Sequence, residues 1–80
     1  MLILRNITSN DNIISADYFP EGKEGNGFLS IDKQSKEVIE KKLSSFETDD
    51  KPNYFAMARQ YLRQIINEID IPIEKTIMWY

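Results

Sequence analysis

The apolar positions change period along the chain. From Ile13 to Phe19 they alternate, with Ile14, Ala16 and Tyr18 set against Ser15 and Asp17, which is the period of a strand with one face turned to a core. Leu2 to Thr8 is an earlier β-prone run, and Ser9-Asn10-Asp11-Asn12 between the two supplies turn formers. The pair predicts a hairpin. Pro20 to Gly27 contains three glycines and a proline, a combination that breaks any regular element. Leu29 and Ile31 then alternate with Ser30 and Asp32 in a third strand. Gln34-Ser35-Lys36 turns the chain into a fourth at residues 37–44, where Ile39 and Leu43 are expected to face inward.

Near residue 50 the period lengthens. Tyr54, Phe55, Ala58, Tyr61, Leu62, Ile65, Ile66 and Ile69 recur at spacings of three and four, with arginine, glutamine, asparagine and glutamate between them. This is the pattern of an amphipathic helix. Glu47, Asp49 and Asp50 suit its positive end and Pro52 suits its first turn. Pro72 requires a stop near Asp70. A helix of about 18 residues is ~27 Å long, close to the ~23 Å of a seven-residue strand, so it can cover one sheet face. Residues 73–80 are apolar and β-prone, which predicts a fifth strand running antiparallel to the first and sealing that edge. The expected fold is α+β: a four-stranded antiparallel meander packed on one long C-terminal helix, with a short fifth strand at the C-terminus, all in a single domain over residues 1–80.

Composition narrows the chemistry. Eighty residues, 41% hydrophobic and 29% charged, match an ordinary soluble globule with one small core. With no cysteine and no histidine, disulfides, thiolate nucleophiles, imidazole bases and the usual zinc sites are excluded. No apolar run approaches the ~18 residues of a membrane helix, and the opening Met1 to Asn6 turns polar too quickly for a signal peptide. A cytoplasmic location follows as the expectation. The richness in isoleucine, lysine and asparagine points to an AT-rich bacterial or phage genome. Ten basic against 13 acidic residues give a net charge of −3, which disfavours nonspecific binding to nucleic acid or anionic lipid.

Candidate sites are few. The Gly22 to Gly27 segment lacks the lysine-serine or lysine-threonine of a phosphate loop and carries Glu21 and Glu24, so it reads as a hairpin connection. Glu47, Asp49 and Asp50 miss the spacing of a calcium loop and fit the helix dipole instead. Tyr18, Tyr54 and Tyr61 are placed to pack inward with hydroxyls at the rim. Asp17 and Asp32 fall on a flat exposed sheet face, where nothing desolvates a carboxylate pair. No nucleophile motif is present, and no residue is assigned a catalytic, cofactor-binding or metal-binding role. Four strands before one helix departs from the βαββαβ order of the RNA-recognition domain, whose aromatic signature is also missing.

These features point to a noncatalytic protein–protein interaction or accessory module that self-associates. The alternative is a nucleic-acid-binding protein using Arg59 and Arg63, one helical turn apart and suited to carboxylate or phosphate. The candidate partner-binding residues are Phe28, Arg59, Arg63, Met78, Trp79 and Tyr80. Phe28 is the odd apolar residue on the polar sheet face. In an extended tail Ile77 and Trp79 point one way and Met78 and Tyr80 the other, so one pair is left for a neighbour. The expected partner is a second copy or another protein.

Overall fold

The computed structural model describes residues 1–48 and 50–78. Its elements are β1 (Leu2–Ser9), β2 (Ile13–Pro20), β3 (Gly27–Asp32), β4 (Val38–Lys42), α1 (Asn53–Ile65) and β5 (Lys75–Ile77). They form an antiparallel sheet in the order β4-β3-β2-β1-β5 with α1 on one face. The meander and the fifth strand against β1 agree with the sequence pattern; Leu2 faces Ile77 and Leu4 faces Lys75 across the closing pair. Among the described residues no helix is long and apolar enough to cross a membrane.

The inward row of the sheet is Leu2, Leu4, Ile14, Ala16, Tyr18, Leu29 and Ile31, all fully buried against Phe55, Ala58, Leu62 and Ile65 of α1. Each large side chain so enclosed contributes roughly 1.5–3 kcal/mol. Strict alternation would carry Asn6 into this row after Leu4. A bulge between Arg5 and Thr8 prevents it, because two residues of β1 oppose one of β2. Asn6 adopts φ 55°, the left-handed conformation that asparagine tolerates better than most residues. Its side chain donates to Asp17 Oδ2 at 2.8 Å, and Ile7 takes the core position.

A second bulge, between Ser30 and Ile31, corrects the expectation for β4. Val38 rather than Ile39 lies opposite Ile31 and packs against the core, leaving Ile39 48% exposed. Leu43 is half-buried against the core, as expected. The turn into β4 is closed by Asp32, whose Oδ1 accepts the backbone N–H of Gln34 at 2.8 Å and of Ser35 at 3.0 Å. The Ser35 bond first, then that from Gln34, holds this carboxyl below the usual range.

The helix is shorter than the pattern predicts: 13 residues, with Ile66 at its C-cap. Ile69 lies outside it and is 97% exposed. The chain leaves the helical path early to return over the end of β1, where the Ile7 N–H donates to the Ile73 carbonyl at 2.9 Å. A geometric mismatch follows from the single helix. Five strands spaced ~4.8 Å apart span ~19 Å, whereas a helix with its side chains is ~10–12 Å across. Accordingly α1 lies over β1, β2 and β3, and none of its Cα atoms comes within 8 Å of one in β4 or β5 among the described residues. Both outer strands overhang the helix.

Candidate functional site

The two overhangs differ in chemistry. On the β5 side an open groove of about 450 Å³ separates the strand from α1; Met57, Gln60, Tyr61 and Gln64 form one wall, and Lys75 to Met78 the other. Ile77 is partly buried against the core, while Met78 is 55% exposed. Tyr61 has its hydroxyl pushed above the ordinary tyrosine range, by burial first and by the Glu68 charge second. Met57, Tyr61, Ile77 and Met78 give the groove adaptable apolar patches, and Gln60, Gln64, Lys75 and Thr76 give it hydrogen-bonding groups between them. The strand itself pairs only with β1 and is last in the sheet order, so its outer N–H and C=O groups have no strand partner among the described residues.

On the β4 side the overhang is cationic. Lys41 shares the inward side of its strand, opposite Leu29, and its Nζ stands 4.9 Å from the centroid of the Phe55 ring. Arg59 approaches the same ring at 5.7 Å. One turn further along α1, Arg63 Nε donates to the Lys36 carbonyl at 3.0 Å. The helix carries no carboxylate of its own; Arg59 and Arg63 are its only charged residues. Among the described residues the ion pairs join the Met1 amino group to Glu21 and Arg5 to Glu74, so none involves these cations.

A polar cluster at the start of α1 resembles a reactive site in composition but is fully committed to structure. Glu47 Oε1 accepts the Tyr18 hydroxyl at 2.8 Å and the Ser44 hydroxyl at 2.7 Å, while Oε2 accepts the Phe55 N–H at 2.7 Å. The Tyr18 oxygen in turn accepts the buried Ser44 N–H at 3.1 Å. Pro52, the N-cap residue, makes no side-chain cap. Glu47 therefore satisfies one of the unpaired amides of the first turn from outside the helix. Burial, and then the bond to Glu47, pushes the Tyr18 phenol far above its ordinary range, so it stays protonated and acts as a donor. Among the described residues no three acidic side chains gather as a metal site.

The sheet face away from α1 is unlayered. Asp17, Phe28 and Lys42 lie in one cross-strand row, and Phe28 is half-buried there. Arg5 continues that row opposite Asp17 and stacks over Phe19 with 4.9 Å to the ring centroid. Thr8 and Ser15 share a hydroxyl hydrogen bond of 2.7 Å, and Ser30 is buried although it faces this side. The face is mixed in sign and its apolar members are scattered between polar neighbours.

The sequence candidates thus fall on three separate surfaces: Met78 on the β5 groove, Arg59 and Arg63 on the β4 side, and Phe28 on the open face. Trp79 and Tyr80 lie outside the described residues, as does Asp49. Lys41, which shares the Phe55 ring with Arg59, and Lys36, whose carbonyl holds Arg63, escape a reading of the sequence because only the pairing of β3 with β4 brings them to α1. Comparison of the chain with protein-family models, with curated proteins and with solved structures finds no match.

Proposed function

We propose that the protein is a noncatalytic interaction module that accepts an extended strand along the outer edge of β5, beside the groove that β5 shares with α1, and that its first occupant is β5 of a second copy. The observation that supports this reading is an unpaired strand edge lying directly beside an open groove of mixed polar and apolar lining. Backbone pairing supplies affinity in such a site and the groove reads alternate side chains. A two-fold axis through Thr76 sets β5 antiparallel to its copy, with Lys75 opposite Ile77 and Glu74 opposite Met78. No like charges meet, and two five-stranded sheets become one.

Sedimentation equilibrium from micromolar to near-millimolar concentration tests it. The expected result is a monomer–dimer equilibrium for the native chain and a monomer for Thr76→Lys. That substitution is at an exposed position and places two ammonium groups opposite each other only in the dimer. A native chain that stays monomeric throughout the range overturns the proposal.

A further inference from the structure

We infer that the cationic surface where β4 overhangs α1, formed by Lys36, Lys41, Arg59 and Arg63, is a docking surface for an extended acidic peptide segment of a partner protein. Three of the four cations, Lys41, Arg59 and Arg63, are positioned before any ligand arrives. Phe55 is almost fully buried, and the charges of Lys41 and Arg59 rest against its ring. Cation–π contact of this kind fixes a charge without neutralising it. Arg63 spends its Nε on the Lys36 carbonyl, which leaves the other guanidinium nitrogens to meet a carboxylate fork.

The positive field is also local. The chain has 13 acidic residues and a net charge of −3, yet neither Glu37 nor Glu40, the acids nearest in sequence to Lys36 and Lys41, makes an ion pair with any of the four cations among the described residues. Glu40 pairs opposite Ser30, on the sheet face away from the helix. Arg59 and Arg63 repel each other at one-turn spacing, and an anion between them relieves that repulsion.

Charge complementarity favours acidic peptide over nucleic acid. A polyanion with a phosphate at every step meets the net negative charge of the rest of the molecule. The ring beneath the cations is buried and offers no stacking platform for bases. A short acidic segment engages the cationic surface alone. The helix is 13 residues long, about 20 Å at 1.5 Å per residue, so about six extended residues run its length.

The test is fluorescence anisotropy with a labelled hexaglutamate peptide at low ionic strength, where the Debye length is long. Saturable binding is expected. It should weaken about tenfold or more in Arg59→Gln/Arg63→Gln and comparably in Lys36→Gln/Lys41→Gln, an independent pair at exposed positions on the β4 side. Lys42→Gln, opposite Phe28 on the far face, should change it less than about twofold. Absence of saturable binding overturns the inference, as does an equal loss in Lys42→Gln, which would mean diffuse attraction. Tighter binding of a hexathymidylate than of the peptide overturns it in favour of a nucleic-acid site. Thr76→Lys, which addresses the β5 edge, is expected to leave peptide binding unchanged, so this result is read independently of self-association.

Discussion

Tyr18 and Gly27 face each other in direct register across β2 and β3, and the phenol ring lies over the glycine in the space that any other residue would fill with its Cβ. The close approach lets a full tyrosine lie within the sheet's inner layer, its centroid 6.2 Å from that of Phe55 in an edge-on arrangement, while the hydroxyl reaches Glu47 at the rim.

Gly27→Ala forces the ring out of that layer. Phe55 and the Glu47 network hold the other side of the ring, so the collision cannot be relieved by a small rotation. A loss of about 1–3 kcal/mol is expected, read as a lower urea midpoint with an unchanged slope. An alanine variant as stable as the native chain would refute the packing role assigned to this glycine.

Alkaline titration separates the Tyr18 hydroxyl from the other phenols. Its folded pKa lies above the unfolded value of about 10. The stabilisation is therefore complete below pH ~10 and is lost as pH rises from there toward the folded value, because the unfolded chain releases its proton first. Tyr54 and Tyr61 shift in the same direction, so the native chain has a steep alkaline limb. Tyr18→Phe should flatten that limb. At neutral pH it should also cost about 1–3 kcal/mol, since the buried Ser44 N–H loses its acceptor. Denaturation midpoints from pH 7 to 11 provide the measurement.

Lys36 closes the turn into β4 with φ 64°, a conformation that costs a lysine roughly 1 kcal/mol and a glycine almost nothing. Lys36→Gly should raise stability by about 0.5–1 kcal/mol. Because it also removes one cation from the α1/β4 surface, the same variant should weaken hexaglutamate binding. Greater stability with weaker binding is a pairing that general unfolding cannot imitate.

The β1 bulge predicts a contrast at one position. Asn6→Gly keeps the left-handed φ and loses the bond to Asp17, a change expected to stay within about 1 kcal/mol. Asn6→Val puts a β-branched residue in that conformation and should cost about 2 kcal/mol or more. Equal midpoints for the two variants would show that the bulge is not needed for register.

Strand alternation and helical spacing made most of this architecture legible, because each inward residue from Ile14 to Tyr18 and from Leu29 to Ile31 follows the period of its element. The departures all involve residues whose surroundings are nonlocal. Asn6 and Ile39 break alternation at bulges, which depend on the partner strand. Ile69 continues the helical spacing beyond the point where Ile73 ties the chain to Ile7. Arg59 and Arg63 are readable as neighbours on one helix, but Lys41 and Lys36 reach them through strand pairing. The role of Glu47 is half legible: an acid before a helix suggests the dipole, whereas its grip on Tyr18 spans 29 residues.

The closing pair of β1 with β5 has a kinetic consequence. Leu2 and Ile77 come together from nearly opposite ends of the described chain, so their contact closes the longest loop in the fold and is the one least assisted by local structure. The hairpins and the helix can assemble while β1 still shows a bare margin. During synthesis that margin waits for residues 75–77, which are made after the other four strands, and is then the vulnerable line along which a nascent chain can pair with the wrong neighbour.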